Sequence, residues 1–271
     1  MNQSQRLLFL INELMNEDDR YKDMEIPNSY LDKTRLLRSL MNVRMPKAIS
    51  EEFLHVQDEF LRNVATEKGI VRLMDIPSLA EEFPSSSLPY KEKLSIWQGD
   101  ITRLEADAIV NAANSQMLGC FVACHGCIDN AIHSAAGIQL RDECAHIMNQ
   151  QGHVEKTGTA KITNAYNLPC KHVIHTVGPI VRFGLTKKLE EDLRSCYWSC
   201  LECAALNEVR TIVFCCISTG EFHFPNDKAA EIAIEMVIKF LSERGSKIDR
   251  VIFNVFKDFD DRIYRKFARL Y

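Results

Sequence analysis

The sequence predicts an α/β fold with a mixed, mostly parallel sheet, preceded by a helical N-terminal region. Two observations indicate this fold. Strand-like and helix-like segments alternate from residue 94 onward in the 271-residue chain, as they do in layered α/β proteins. Before residue 91 the apolar residues recur at helical spacing, and all ten cysteines lie after this region. We therefore expect a helical extension over residues 1–90 that packs on a main domain over residues 91–271.

The composition excludes several classes of protein. The chain is 46% hydrophobic and 26% charged, so it can bury a globular core. A formal net charge of -4 gives no overall basic field, which disfavours nucleic acid as a partner. No apolar run approaches the roughly 18 residues of a membrane-spanning helix, and the first residues lack the pattern of a signal peptide. We expect a cytoplasmic protein that does not bind membranes, with reduced cysteines available as metal ligands.

Three helices are predicted in the N-terminal region. Apolar residues at spacings of three and four fall within residues 7–15, 36–41 and 53–64. Ser50 is the expected N-cap of the third helix, because Glu51 and Glu52 follow it in the first turn. The stretch from Pro77 to Pro89 is rich in proline and serine, which is typical of a connector.

Strands and helices alternate through the main domain. The predicted strands are Leu94–Gln98, Ala108–Asn111, Thr159–Thr163, His172–Val177, Thr211–Ile217 and Arg250–Phe256. The predicted helices cover residues 128–136, 138–150, 187–207, 226–244 and 258–270. Several strands are continuous apolar runs, which is typical of strands buried on both faces. Gly245 is the expected end of the fourth of these helices.

The segments that follow three of these strands are small or polar. They are Gly99-Asp100-Ile101-Thr102, Asn111-Ala112-Ala113-Asn114 and Ser218-Thr219-Gly220-Glu221-Phe222. In open α/β sheets, ligands bind beyond the carboxyl ends of the strands. The third segment connects a buried strand to a helix near Asn226, and such a loop can point backbone N–H groups at a phosphate. The same residue types also make ordinary βα turns.

Taken together, the segments GDIT, ADAIVNAAN, VIHTVGP and ISTGEF resemble the macrodomain family, which binds ADP-ribose, over roughly residues 94–271. The resemblance implies a three-layer α/β/α sandwich. It also implies that Asp100 and Ile101 recognise the adenine, and that Asn111 and Asn114 line the distal ribose. The residues implied to wrap the diphosphate are Ser218, Thr219, Gly220, Glu221 and Phe222.

The segment after Asn114 resembles the catalytic segment of the MacroD-type hydrolases, in which a glycine-rich loop leads to an aspartate and a helix. Asp129 falls on that aspartate. The glycine run is replaced here by Cys120-x4-His125-x-Cys127. This replacement resembles the zinc-containing subclass of macrodomain ADP-ribosylhydrolases, a microbial group with an N-terminal helical extension.

The chemistry of this motif suits zinc. Two thiolates and one imidazole within eight residues can hold one tetrahedral ion and leave its fourth position open. Because the two thiolates cancel the charge of the ion, zinc would polarise a ribose hydroxyl or a water rather than force formation of hydroxide. The alternative is a closed structural site with Cys124 as the fourth ligand. We expect one Zn²⁺ per chain.

Other cysteines and histidines are expected to be structural. Cys196, Cys200 and Cys203 have the spacing of a radical-type iron–sulfur site, but they continue an apolar helical stripe and suit core packing. His133, on a predicted helix, and His175, on a predicted strand, are expected to be buried histidines with satisfied hydrogen bonds.

The residues and the resemblance together predict a zinc-dependent hydrolase that removes ADP-ribose from mono-ADP-ribosylated protein side chains. Asp129 is the expected general base or electrostatic stabiliser, and Asn114 would orient the ribose. Two alternatives stay open, a non-catalytic reader of ADP-ribosylated proteins and a hydrolase of O-acetyl-ADP-ribose. The resemblance also suggests, as the substrate, a lipoyl-carrier protein modified by a sirtuin-type ADP-ribosyltransferase.

Overall fold

The computed structural model describes residues 1–21, 23–244 and 247–270. Its α-helices in these ranges are α1 (Gln3–Asn16), α2 (Tyr30–Val43), α3 (Glu51–Lys68), α4 (Leu79–Glu82), α5 (Ile128–Ala136), α6 (Ile138–Gln151), α7 (Lys187–Leu206), α8 (Asn226–Arg244) and α9 (Asp258–Leu270). Its strands are β1 (Val71–Arg72), β2 (Leu94–Gln98), β3 (Leu104–Glu105), β4 (Ala108–Ala113), β5 (Ala160–Asn164), β6 (His172–Val177), β7 (Thr211–Phe214) and β8 (Arg250–Val255). Gly245, the predicted end of α8, lies outside the described residues.

The main sheet has six strands in the order β2-β8-β7-β4-β6-β5. Neighbouring strands are parallel except for β5 and β6, which are antiparallel. Helix α5 packs on β4, α6 on β5, α7 on β5 and β6, and α9 on β2 and β8. The predicted mixed, mostly parallel sheet flanked by helices is therefore confirmed.

The main core lies between this sheet and its helices. Val110, Ile174, Val213 and Ile252 are inaccessible to solvent on four adjacent central strands. The strands read as continuous apolar runs because helices cover the sheet, so side chains on both faces are buried.

Strand β7 ends three residues earlier than predicted. Strand β8 ends one residue early, β5 lies one residue later, and β4 extends two residues further than predicted. The apolar run Thr211–Ile217 leaves the sheet after Phe214, because β7 pairs with β4 only through Ile212 and Val213. Ile217 stays fully buried in the same core. Because Ile217 is buried without pairing to a neighbouring strand, its hydrophobicity resembles that of a strand residue.

The three predicted N-terminal helices are present and form their own apolar cluster. Asn2, Ser29 and Ser50 cap α1, α2 and α3, each accepting a hydrogen bond from a backbone N–H in the first turn. The cluster extends to Ile138 of α6. Fully buried Gln57 of α3 accepts a hydrogen bond of 3.0 Å from the backbone N–H of Ile138, so the helices dock directly on the start of α6.

No α-helix within the described ranges is long and apolar enough to cross a membrane.

Candidate functional site

The segments singled out from the sequence lie at the carboxyl ends of β2, β4 and β7, which run parallel within one sheet, and residues 111–113 are the last residues of β4 itself. Carboxyl ends of parallel strands meet at one edge, so these segments lie at the same edge. Side-chain contacts join them to the Cys/His motif and to Asp129. Asn114 Nδ2 lies 3.5 Å from Asp129 Oδ2, and Glu221 Oε1 lies 3.8 Å from His125 Nε2.

Asp129 is a buried carboxylate in the first turn of α5, with only 5% of its surface exposed. Its Oδ1 accepts a hydrogen bond of 2.8 Å from Nδ2 of Asn111. Burial raises the pKa of Asp129 to about 6, despite that hydrogen bond and the charge of Arg141, which both lower it. The group is therefore a base whose pKa is close to neutral pH, as general acid–base chemistry requires.

Asn111 is held by a relay of side chains inside the sheet. It is fully buried on β4, and its Nδ2 lies 3.1 Å from Nδ1 of His175 on β6. Nε2 of His175 lies 3.0 Å from Oγ1 of Thr163 on β5, and that hydroxyl donates to the carbonyl of Val173. His175 thus accepts at Nδ1 and donates from Nε2, and burial lowers its pKa to about 4, which keeps the ring neutral.

The resemblance assigns Asn111 to the distal ribose, and the structure gives it a different set of neighbours. Because Asn111 is inaccessible, its carboxamide contacts Asp129 and His175. Contact between Asn111 and ribose stays a prediction. The sequence predicts His175 as a buried histidine with satisfied hydrogen bonds, and both ring nitrogens do have partners. The sequence signal for its larger role is a polar pair, His175 and Thr176, within a buried strand.

His133 lies beside Asp129. The expectation that its hydrogen bonds are satisfied is wrong, because both ring nitrogens are buried without a hydrogen-bond partner among the described residues. His133 lies one turn further along α5, and its Nε2 is 3.5 Å from Asp129 Oδ1. Burial lowers the pKa of His133 well below its usual value, so the ring is neutral. The carboxylate therefore has no compensating positive charge from this neighbour, in keeping with its raised pKa.

The three residues of the Cys/His motif converge. The thiols of Cys120 and Cys127 and the imidazole of His125 place one donor atom each within 4.8 Å of one another. Cys120 Sγ lies 3.6 Å from His125 Nδ1. In tetrahedral zinc sites with bonds of about 2.0 and 2.3 Å, ligand atoms stand about 3.3–3.8 Å apart. The donor set and its spacing therefore fit zinc.

Cys127 joins this cluster to helix α5, which carries Asp129. It is the N-cap of α5, and its Sγ accepts a hydrogen bond of 3.4 Å from the backbone N–H of Asn130. Burial raises the pKa of Cys127 to about 12, and the nearby Cys120 thiol and Asp129 add to the effect. Burial and the neighbouring thiol make it costly to deprotonate Cys127, and a bound cation would offset that cost by stabilising the thiolate.

Cys124 is outside the converging group. Its Sγ points to the backbone carbonyl of Arg35 on α2, 3.4 Å away, and within the described residues it does not join the cluster of Cys120, His125 and Cys127. This geometry favours three ligands with an open position over the closed four-ligand alternative.

The loop that begins at Ser218 leaves several backbone donors available. Ser218 has a φ of 65°, and a side chain at Gly178 would collide with its hydroxyl, so the glycine lets this loop approach β6. Within the described part of the chain, the backbone N–H groups of Gly220, Glu221 and Phe222 donate no hydrogen bond. These donors suit an anion such as a diphosphate.

Asp100 and Ile101 follow β2. Asp100 Oδ1 accepts hydrogen bonds of 3.0 Å and 2.7 Å from the backbone N–H and hydroxyl of Thr102. Its Oδ2 is 3.8 Å from Lys68 Nζ at the end of α3. Ile101 is buried. One oxygen of Asp100 is therefore committed to the turn, and the other, which faces Lys68, is the one that could accept from an exocyclic amine.

The cysteines of α7 behave as core residues. Cys196 and Cys200 are fully buried, and burial raises the pKa of both thiols. Neither joins a converging metal-ligand group among the described residues. The expectation of core packing is confirmed for these two cysteines.

The chain is similar to known proteins over most of its length. The family model described as Macro domain matches residues 110–233. The chain is 48% identical over 98% of its length to "Protein-ADP-ribose hydrolase" of Treponema medium, of which it covers 99%. It is 45% identical over 96% of its length to the protein of the same name from Staphylococcus aureus (strain MRSA252), of which it covers 94%. Among solved structures, a Trypanosoma brucei macrodomain in complex with ADP-ribose is similar with a TM-score of 0.65 at 31% identity, covering 85% of this chain and 94% of that chain.

Proposed function

The chain belongs to the macrodomain family, and from that premise we propose that it is a zinc-dependent hydrolase that removes ADP-ribose from mono-ADP-ribosylated protein side chains. Two relatives that match nearly the whole chain are named as protein-ADP-ribose hydrolases, which supports the reaction class. The observation that carries the proposal is that Cys127 and Asp129 lie at the same end of α5. A metal-ligand cluster and a carboxylate with a raised pKa thus meet in one place.

Binding would use groups that need no basic side chain. The free backbone N–H groups of Gly220, Glu221 and Phe222 can neutralise a diphosphate. The second carboxylate oxygen of Asp100 can accept a hydrogen bond from the adenine amine. Asn114 Nδ2 already lies near Asp129, so its carboxamide is placed to orient a ribose beside the carboxylate.

The bond broken would join the anomeric carbon of the distal ribose to an oxygen or nitrogen of the modified side chain. Cleavage of such a bond passes through a state with positive charge on the ring. The Asp129 carboxylate can stabilise that charge, or accept a proton from the water that adds to the anomeric carbon. The side chain leaves with one proton, and the hydroxyl of the water stays on the ribose.

Asn111 and His175 would hold this carboxylate rather than react. The hydrogen bond from Asn111 fixes Oδ1 of Asp129, which leaves Oδ2 near Asn114. Because His175 is neutral and accepts from Asn111, the amide keeps its donor directed at the carboxylate.

Cys120, His125 and Cys127 would hold the zinc ion. When bound, zinc would supply a Lewis acid that polarises a ribose hydroxyl or a water. Glu221 lies against His125 and would link the metal cluster to the diphosphate loop.

Two other functions use the same pocket. A non-catalytic reader of ADP-ribosylated proteins needs neither a metal cluster nor a buried carboxylate with a raised pKa, and the structure has the residues for both. A hydrolase of O-acetyl-ADP-ribose would share all of these residues. A lipoyl-carrier protein modified by a sirtuin-type transferase, as the natural substrate, stays a prediction of the resemblance.

The experiment that separates these functions offers the purified protein two substrates. One is an auto-modified mono-ADP-ribosyltransferase, and the other is O-acetyl-ADP-ribose, each assayed with and without a chelator and with zinc restored. The proposal expects release of ADP-ribose from the protein, its loss with chelator and its recovery with zinc. Binding without release would identify a reader, and turnover of the ester alone would identify the metabolite hydrolase.

A further inference from the structure

We propose that α2 of the N-terminal region is a positioning element for the Cys/His cluster, and that Arg38 is its central residue. Arg38 would set the backbone that presents His125, although it lies 87 residues away in the sequence. The inference rests on the proposed metal role of Cys120, His125 and Cys127 and gives the N-terminal helices a part in the site.

Arg38 contacts the metal-ligand loop directly. Its Nη2 donates a hydrogen bond of 3.1 Å to the backbone carbonyl of His125. Its Nε and Nη2 also donate to Oδ1 of Asn130, at 3.2 Å and 2.7 Å. One planar guanidinium therefore joins the loop to the first turn of α5, the geometry that arginine provides and lysine does not.

A second side chain of α2 holds the residue before His125. Asn42 is buried, and its Oδ1 accepts a hydrogen bond of 2.9 Å from the backbone N–H of Cys124. Its Nδ2 donates to Ser134 Oγ at 2.9 Å. Asn42 thus accepts from the N–H of Cys124, and Arg38 donates to the carbonyl of His125. Together they bind the first and last polar backbone groups of this two-residue segment.

That segment needs external support. Cys124 has a φ of 52°, a left-handed conformation that residues other than glycine rarely adopt. Its side chain contacts the carbonyl of Arg35, so three positions of α2, residues 35, 38 and 42, touch it or its neighbour. Spacings of three and four place these positions on one face of the helix. The α2 face therefore stabilises a backbone that the loop alone would not favour.

Asn130 extends the same support to the third ligand. It is fully buried, its Nδ2 donates to the carbonyl of Val122 at 3.0 Å, and its backbone N–H donates to Cys127 Sγ at 3.4 Å. Because Arg38 holds the Oδ1 of the same side chain, the orientation of Asn130 is fixed from α2.

Arg141 of α6 contacts the C-terminal end of α2. Its Nη1 donates to the carbonyls of Met41 and Asn42 in the last turn of α2 and of Arg44, the C-cap that follows α2, at 3.1, 2.8 and 2.6 Å. The same guanidinium lies over the ring of Phe121, 4.3 Å from its centroid. Phe121 is the residue next to Cys120. All three candidate ligands are therefore connected to α2: His125 directly, Cys127 through Asn130, and Cys120 through Phe121 and Arg141.

Such outer contacts commonly decide how well a metal site is formed. Residues that orient metal ligands typically change metal affinity by 10- to 100-fold when they are removed. We expect α2 to pre-form the cluster in the same way, since a loop of correct shape does not have to be ordered when the metal binds.

The test compares Arg38→Met with Arg35→Met. Both changes remove one arginine from α2, but the Arg35 side chain is exposed and only its backbone contacts the loop. Two quantities are measured, the zinc affinity by competition with a chromophoric chelator, and the hydrogen exchange of the amides of residues 121–127 in metal-free protein. Arg38→Met is expected to weaken zinc binding by about 10- to 100-fold and to speed exchange of the Cys124 and His125 amides. Arg35→Met should change neither.

Further arms distinguish positioning from general damage. Arg38→Lys keeps the charge and one set of donors, so its zinc affinity should lie between those of wild type and Arg38→Met. Melting temperatures show whether each variant is folded. The ADP-ribose affinity should stay within a few-fold of wild type in every folded variant, because the hydrogen bonds of Arg38 go to His125 and Asn130 and not to the diphosphate loop. Equal zinc affinity and equal exchange in Arg38→Met and Arg35→Met would overturn the proposal. If wild type binds no zinc, the metal part of the proposed function fails, and the exchange measurement alone decides whether Arg38 positions the loop.

Discussion

Nδ2 of Asn111 donates a hydrogen bond of 2.8 Å to Oδ1 of Asp129, joining the interior of β4 to the first turn of α5. Both side chains are buried, so the bond is shielded from water and fixes the carboxylate without competition. Its orientation depends on His175, which accepts from the same Nδ2. The position of the candidate catalytic group is therefore set inside the sheet rather than on its surface.

His175→Phe should reduce turnover while leaving ligand binding intact. The change removes the acceptor of Asn111 and the donor to Thr163, so the Asn111 amide is free to turn away from Asp129. We expect a fall in kcat of about 10-fold, and a loss of about 1–3 kcal/mol in the free energy of unfolding for the unsatisfied buried groups. ADP-ribose affinity by calorimetry and the rate per folded molecule check this.

The matched control for that change is His172→Gln on the same strand. His172 is only partly buried and contacts the backbone carbonyl of Thr163 rather than Asn111. It should keep the wild-type rate. An unchanged kcat in folded His175→Phe would show that the relay does not orient Asp129.

The metal cluster makes a prediction about the neighbouring cysteine. Cys120→Ala and Cys127→Ala should each lose bound zinc, because each removes one of three donor atoms that converge. Cys124→Ala should retain about one zinc per chain and near wild-type hydrolysis, because its thiol points to the carbonyl of Arg35. Elemental analysis of the purified variants measures this. If Cys124→Ala is the variant that empties the site, the closed structural arrangement is correct.

The diphosphate loop can be tested at Gly220. A Cβ at this position meets no atom within 4 Å, so Gly220→Ala should bind ADP-ribose as wild type does. Gly220→Glu adds a carboxylate beside the N–H groups that would neutralise the diphosphate, and it should bind at least 100-fold more weakly by like-charge repulsion. Calorimetric titration of both variants with ADP-ribose measures the difference. Equal affinities in the two variants would show that this loop does not bind the diphosphate.

Asp107 lies at the opposite end of the strands from the candidate site, and it should make the stability of the fold depend on pH. Burial raises its pKa, but hydrogen bonds from Lys171 Nζ, the Thr211 hydroxyl and the backbone of Arg210 and Thr211 outweigh this effect, so the pKa is lowered. Because the pKa is lower in the folded protein, the charged carboxylate stabilises the fold. This stabilisation is complete above the pKa of the unfolded chain, about 3.9, and is lost as the pH falls through the pKa of the folded protein.

Asp107→Asn should therefore lower the free energy of unfolding most at neutral pH, by about 1–3 kcal/mol. Its difference from wild type should shrink below about pH 4, where wild type loses the charge. Urea unfolding at pH 7, 5 and 3.5 measures this. A difference that is constant across these values would mean that the charge of Asp107 contributes nothing.

The elements of the main sheet could be predicted because burial on both faces leaves a continuous apolar run. The strand His172–Val177 has the predicted bounds for this reason. The end of β7 could not be located in the same way, since Cys215 and Ile217 are buried outside the sheet and look like strand residues. Hydrophobicity reports burial, whereas strand ends depend on pairing with a neighbour.

The Cys/His cluster could be predicted because its residues are close in the sequence, and the other site segments could be predicted from their motifs. Cys120, His125 and Cys127 fall within eight residues, so their convergence could be anticipated from spacing. The contact between Arg38 and His125 joins two elements 87 residues apart, and nothing in the local pattern around either residue indicates it. Such contacts depend on how the helices dock.

The proposed hydrolase activity depends most on the buried carboxylate of Asp129. The most direct measurement is the rate of ADP-ribose release from a mono-ADP-ribosylated protein by folded, zinc-loaded wild type and Asp129→Asn, which keeps the shape of the side chain and removes its charge. The account predicts release by wild type, a loss of about 100-fold or more in the variant, and ADP-ribose affinity and zinc content within a few-fold of wild type. Near wild-type release by Asp129→Asn, or no release by zinc-loaded wild type, would contradict it.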